Sequence, residues 1–183
     1  MKAVVLIYSV SRIVFGCGWI LAVFCGSGAR LLAADVAVPL AETADGYVKA
    51  GFEQLAGFKV TPPPFDQSAK PGAAGPSLGG QIPDAIRSLD GRLAVVTGFM
   101  LPIKMEAGRV TELLLMRSQM MCCYGVVPQV NEWVLVRMAK GVHQLMDVPV
   151  SIGGKLHVRE LYENGFLTAI YQLDGEKLLP SKG

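Results

Sequence analysis

The chain has 183 residues, of which 17 are basic, 15 are acidic and 51% are apolar, and this length predicts one domain plus accessory segments. Three basic residues, Lys2, Arg12 and Arg30, precede the first acidic one, so from Asp35 onward 14 basic residues face 15 acidic ones and the net charge is near −1. Binding to nucleic acid needs a surplus of Lys and Arg that displaces counterions from phosphates, and this balance argues against such a partner.

The first 34 residues have the pattern of an export segment. Basic residues precede an apolar run from Ile13 to Cys25, and Ala33-Ala34 supplies small residues at its exit. A membrane-spanning helix needs about 20 apolar residues, more than this run offers. We predict that residues 1–34 are a secretory signal peptide, with an uncleaved membrane anchor as the alternative. The protein is then expected in the periplasm or on the extracytoplasmic face of the cytoplasmic membrane.

A short helix and a linker are predicted next. Within residues 35–60, apolar side chains of Glu42–Gly57 recur at spacings near three and four, and Gly57 is placed to end the helix. Residues 61–82 then contain five prolines among glycines and alanines. Such a segment cannot pack a core, so we predict a Pro/Gly-rich surface linker there.

Residues 83–180 have the pattern of a β domain. Pro83–Leu89 is predicted to form one helical turn, and Gly98 to mark a bulge or bend in the first strand. Five short strands in about ninety residues favour a mainly β fold, a small OB-like barrel that removes exposed edges, with a small β-sandwich as the alternative. The predicted strands are Arg92–Leu101, Val110–Arg117, Glu132–Met138, Asp147–Glu160 with a break at Gly153-Gly154, and Phe166–Leu173.

The connection between the second and third predicted strands contains Met121-Cys122-Cys123-Tyr124. Adjacent residues of an extended strand point to opposite faces, so the two thiols share a site only if the backbone turns there. Three interpretations are open. The thiolates bind zinc or copper; the neighbours form a disulfide that acts as a redox-sensitive lock; or one cysteine packs as a small apolar residue and the other is merely tolerated.

Other side chains are weighed against this loop. Two cysteines are too few for a closed zinc site, so Met121, His143 and His157 are the candidate additional ligands. Trp133 is predicted as a core aromatic residue or, together with Tyr124, as a partner-binding residue. Glu132, at the start of a strand, is expected to be solvated.

No catalytic motif accompanies the cysteine pair in the sequence. A Gly-x-Ser-x-Gly elbow, a phosphate loop, a dinucleotide fingerprint and a His-Glu-x-x-His helix are all missing. A thiol nucleophile would need a histidine base, and nothing local ties either histidine to Cys122 or Cys123. We therefore expect a protein that is not an enzyme, and we predict no catalytic or cofactor-binding residues.

Several motifs resemble those of an uncharacterised bacterial family, domain of unknown function 3299. They are Asp45-Gly46-Tyr47, Phe52–Phe58, Ile82-Pro83, Leu89–Arg92, Thr97–Pro102, Cys122–Gly125, Pro128 and Asn131–Val134. The resemblance implies a secreted or lipid-anchored single-domain protein with an OB-like barrel. Members are often encoded near ABC-type export or permease genes, some in settings linked to zinc, and the family carries no established catalytic residues.

These observations lead to one main hypothesis and two alternatives. The main hypothesis is an exported, non-enzymatic binding or accessory module that works with an ABC-type membrane transport complex and binds a soft metal through its vicinal cysteines. The first alternative is a thiol-dependent redox protein or peptidase that uses Cys122 or Cys123. The second is a purely structural barrel that docks another protein.

Overall fold

The computed structural model describes residue 43 and residues 46–64, 76–120 and 128–179. All of them belong to one compact unit, Ala37–Gly183. The elements are β1 (Val48–Lys49), α1 (Phe52–Leu55), a 3₁₀ turn (Gly79–Gln81), α2 (Asp84–Arg87), β2 (Leu93–Glu106), β3 (Arg109–Met116), β4 (Trp133–Val142), β5 (Pro149–Glu163) and β6 (Phe166–Leu179). None of the helices within the described ranges reaches the length and apolarity that a bilayer crossing requires.

Strands β2 to β6 close into a five-stranded barrel, and β1 is an additional strand beside β2. The order around the sheet is β1-β2-β3-β4-β6-β5, and β2 also pairs with β5, which closes the ring. Most pairs are antiparallel, whereas β4 and β6 run parallel. The predicted mainly β fold with a closed OB-like barrel and a short preceding helix is confirmed.

The long first barrel strand pairs with a different neighbour along each half of its length. Residues Leu93–Phe99 of β2 pair with β5, and Phe99–Glu106 pair with β3. At the change of partner lies Gly98, where an added Cβ would lie 2.6 Å from the carbonyl oxygen of Met116. Only glycine allows the two strands to approach this closely, as expected for a bend in a small barrel.

The core fills the barrel and continues under the N-terminal segment. Its fully buried side chains include Val96, Leu113, Leu115, Val136, Ile152, Leu156, Ile170, Tyr171 and Leu173 from the strands, and Leu55 and Leu89 from outside them. Tyr171 Oη donates a hydrogen bond of 2.8 Å to the carbonyl oxygen of Leu55, which ties α1 to β6. Burial raises the pKa of the Tyr171 phenol, so the group stays a neutral donor.

Two local predictions differ from the structure. The strand predicted to break at Gly153-Gly154 is continuous from Pro149 to Glu163, because these glycines allow close packing: a Cβ on Gly154 would lie 2.1 Å from the Asp174 carbonyl oxygen. The N-terminal helix is also shorter than the spacing predicts. Val48 and Lys49 pair with Ala94 and Val95 of β2 instead, so strand pairing replaces local helix formation there.

Candidate functional site

The connection between β3 and β4 is where the sequence places its most unusual residues. Strand β3 ends at Met116 and β4 begins at Trp133, and residues 117–120 and 128–132 are not part of any strand. Met121, Cys122, Cys123 and Tyr124 lie outside the described residues. We call residues 117–132 the cysteine loop.

The base of the cysteine loop is closed by two facing residues. The Arg117 backbone N–H donates to the Glu132 carbonyl oxygen at 3.0 Å, and Arg117 Nη1 lies 3.2 Å from Glu132 Oε1. The second carboxylate oxygen, Glu132 Oε2, accepts the backbone N–H of Gln129 at 2.9 Å. The Glu132 side chain is 15% exposed. The expectation that Glu132 is solvated is therefore wrong, because an ion pair and a backbone donor together satisfy a carboxylate at this depth.

A second contact ties the loop to the segment that follows α1. Asn131 is 1% exposed, and its Nδ2 donates to the Phe58 carbonyl oxygen at 2.7 Å. Its other amide atom, Oδ1, is buried without a hydrogen-bond partner. The end of the loop is thus held against the N-terminal segment, and one buried acceptor is left unsatisfied.

Two open grooves meet at Arg117. One, of about 350 Å³, lies between Phe58, Lys59 and Glu132. The other, of about 400 Å³, lies between Lys49, Glu53 and Thr97. Their linings combine cations and carboxylates but include no histidine or cysteine. These grooves can therefore bind polar groups.

The two histidines occupy different surroundings. His143 is exposed after the end of β4. His157, on β5, places Nε2 3.1 Å from Asp174 Oδ2 and Nδ1 3.8 Å from Asp90 Oδ1. Across the described ranges, no three His, Cys, Asp or Glu side chains are grouped as a metal site. The His157 ring is instead placed beside two carboxylates, those of Asp174 and Asp90.

The Asp174 carboxylate is held in its charged form by this neighbourhood. Partial burial acts to raise its pKa, but hydrogen bonds from Gln172 and His157 outweigh that effect and the pKa is lowered. Gln172 in turn accepts from Arg159 at 2.7 Å. The result is a polar network on β5 and β6.

Trp133 opens β4 beside the cysteine loop. It is partly buried and packs against the core, and its indole N–H donates to the Thr168 carbonyl oxygen at 2.9 Å. Trp133 is the one aromatic residue in strands β3 and β4, both of which the structure describes. The same two strands are joined by an ion pair between Arg137 Nε and Glu112 Oε2 at 3.2 Å. Its partner-binding role, like that of Tyr124, stays a prediction.

Comparisons with known proteins give matches at the level of a family. A search of curated proteins finds no match. Among solved structures, a crystal structure of a DUF3299 family protein from Pseudomonas aeruginosa PAO1 is 27% identical, with a TM-score of 0.49 over 75% of this chain and 97% of that one. The model of the family described as "Protein of unknown function (DUF3299)" matches residues 81–180, more than half of the chain. The resemblance seen in the sequence motifs is thereby confirmed, and the chain belongs to the DUF3299 family.

Proposed function

We propose that this protein is an exported, non-enzymatic binding or accessory module whose cysteine loop binds a soft metal ion, zinc or copper, through Cys122 and Cys123. The observation that carries the proposal is the position of the loop. Its described parts lie outside the strands, and its base is closed by Arg117 and Glu132. Adjacent thiols can face one ion only where the backbone is not an extended strand, and the described residues on both sides of the cysteine pair meet that condition.

Additional ligands have to complete the site, because two thiolates leave a tetrahedral ion with open positions. Met121 is adjacent in sequence and offers a soft thioether. Of the two histidines, His143 is exposed, whereas His157 would have to leave Asp174 and Asp90. We therefore expect His143, rather than His157, to join the thiolates.

The composition of the grooves supports a binding role. Both grooves at Arg117 are lined by cations and carboxylates, which can bind polar groups. The described strands β3 and β4 lack the several aromatic side chains on which nucleic-acid bases stack. The membrane transport complex remains the proposed partner, and export to the extracytoplasmic face remains the proposed location.

The metal site is tested on a protein that begins at residue 35. Every residue of the core cluster lies between Val48 and Leu173, so this protein contains the complete described core. It is purified under reducing conditions, and bound zinc and copper are measured by mass spectrometry. We expect about one metal ion per chain, lost in Cys122→Ser/Cys123→Ser. The metal-free forms of the two proteins should melt at the same temperature, and only the unchanged protein should gain stability when metal is added.

Two histidine variants identify the further ligand. His143→Gln is expected to weaken metal binding about 10- to 100-fold, and His157→Gln to leave it unchanged. The proposed site is wrong if zinc and copper, each added to the metal-free protein, both fail to bind. Rapid alkylation of one thiol near neutral pH, together with no metal, would favour the thiol-dependent alternative, because a lowered thiol pKa marks a reactive cysteine.

A further inference from the structure

Exposed apolar side chains are concentrated at one end of the barrel. Nine large apolar residues in the described part of the chain are exposed, and seven of them belong to three neighbouring segments. They are Leu101, Ile103 and Met105 in β2, Met120 after β3, and Leu145, Met146 and Val148 before β5. We call these seven residues the apolar rim.

Strand register shows that the segments of the apolar rim are neighbours. The loop between β4 and β5 starts after Val142 of β4. Val142 pairs with Val110 of β3, and Val110 pairs with Met105 of β2. The same loop ends at Pro149, which pairs with Phe99. It therefore spans the same length of the barrel as the second half of β2.

A side-chain hydrogen bond adds the segment after β3. Gln119 Nε2 donates to Asp147 Oδ1 at 3.0 Å. This bond joins the neighbour of Met120 to the residue between Met146 and Val148. The three segments that carry the exposed thioethers and aliphatic groups thus lie near one another, and grouped apolar exposure of this kind marks an interaction site.

The edge of β2 at this surface is not suited to pairing with another strand. Within the described ranges, β5 pairs with β2 only as far as Phe99. Beyond it, Pro102 lacks an N–H group, the register shifts on both sides of Lys104, and Lys104 is charged. Proline, bulges and lysine are the features that prevent edge-to-edge strand pairing. The apolar side chains are therefore available to a partner that does not add a strand.

The charges around the apolar rim favour an anionic partner. Two nearby carboxylates are neutralised by cations: Glu106 by Lys104 at 2.7 Å and Glu112 by Arg137 at 3.2 Å. Asp147 accepts a hydrogen bond from the neutral Gln119 and keeps its negative charge. In the part of the chain that the structure describes, Arg109 donates Nε to the Gly141 carbonyl oxygen and has no carboxylate partner. Lys140 is exposed nearby. Arg109 and Lys140 outnumber Asp147, so the surroundings of the exposed apolar groups keep a net positive charge.

We propose that the apolar rim rests on a phospholipid bilayer, with Ile103 and Met105 entering the boundary between headgroups and acyl chains, and with Arg109 and Lys140 contacting anionic headgroups. Apolar side chains flanked by Lys and Arg are the combination that binds anionic membrane surfaces reversibly. The rim does not include the cysteine pair, so this inference is independent of metal binding.

Vesicle sedimentation tests the proposal with the protein that begins at residue 35. Vesicles of phosphatidylglycerol and phosphatidylethanolamine in equal parts are compared with vesicles of phosphatidylcholine alone. We expect binding to the anionic vesicles that weakens in about 0.5 M salt. Ile103→Glu/Met105→Glu is expected to lower the bound fraction about tenfold, and Arg109→Gln/Lys140→Gln to lower it on anionic vesicles alone.

Two controls separate this result from misfolding and from the metal site. Leu93→Glu changes an equally exposed apolar residue at the other end of β2 and should leave vesicle binding intact. Cys122→Ser/Cys123→Ser should bind vesicles like the unchanged protein. A milder pair, Ile103→Ser/Met105→Ser, should reduce binding at an unchanged melting temperature. The proposal is overturned if the unchanged protein does not bind the anionic vesicles, or if Ile103→Glu/Met105→Glu binds them as well as the unchanged protein does. So does a dimer in solution that these two substitutions dissociate.

Discussion

Replacement of Gly98 by alanine tests whether the close approach of β2 to β3 requires glycine. The added Cβ would lie 2.6 Å from the Met116 carbonyl oxygen, 3.0 Å from Phe52 Cε2 and 3.1 Å from Leu115 Cγ. The ring and the leucine can rotate, but Met116 is paired with Phe99 on one side and Trp133 on the other. The carbonyl therefore cannot withdraw without loosening two ladders of hydrogen bonds.

The expected loss of stability follows from two opposing effects. Forcing a methyl group into a packed site costs about 1–3 kcal/mol, and the immobile carbonyl places Gly98→Ala in the upper part of that range. Alanine also restricts the unfolded chain, which offsets about 0.4–1 kcal/mol. We expect a net loss of about 2 kcal/mol, or roughly 4–8 °C in melting temperature for a domain of this size.

Urea and thermal unfolding followed by circular dichroism measure this loss. Gly80→Ala is the matched control, because a Cβ on Gly80 meets no atom within 4 Å. It should change the free energy of unfolding by less than about 0.5 kcal/mol. A Gly98→Ala protein as stable as the unchanged one, or an equal loss in Gly80→Ala, would refute the close approach at the bend.

Three further changes test the described contacts. Tyr171→Phe leaves a buried carbonyl unpaired and should lower the free energy of unfolding by about 1–3 kcal/mol at neutral pH. The raised pKa of the phenol makes the unchanged protein lose stability as pH rises above about 10. Thermal melts of Tyr171→Phe should not show this loss of stability at alkaline pH. Asp174→Asn should flatten the loss of stability as pH falls below about 4, since a lowered pKa stabilises only the charged carboxylate, and parallel melting curves would contradict the network. Glu132→Gln breaks the ion pair with Arg117, so it should cost less than about 1 kcal/mol yet speed chymotrypsin cleavage within the cysteine loop. An unchanged cleavage rate would show that the pair does not hold the loop.

Sequence patterns predicted the strands well where the signal is local. Alternation located β3, and its boundaries differ from the prediction by one residue at each end. Gly98 was expected to mark a bulge or bend. The structure shows a close approach to the Met116 backbone there, whereas the register shifts of β2 lie between Pro102 and Met105. The Pro83–Leu89 turn likewise appears as α2, Asp84–Arg87.

Other features could not be predicted because they depend on residues distant in sequence. Glycines at 153 and 154 resemble a break, and only the neighbouring β6 reveals that they allow tight packing in one continuous strand. In the sequence, Glu132 resembles a solvated residue at the start of a strand. Its ion pair with Arg117, fifteen positions earlier, is seen only in the folded chain. The apolar rim is likewise invisible in the sequence, since only strand register brings the segments that contain Leu101 and Met146 near each other.

By itself, the sequence determined the class of the fold, the number of barrel strands and membership of the family, because periodicity, turn residues and motifs are properties of short segments. The tertiary structure decided how those strands close. The β2–β5 and parallel β4–β6 pairings join residues far apart along the chain, and no local pattern encodes the free energy of such contacts. The same closure determines which carboxylates are buried and which apolar side chains remain at the surface.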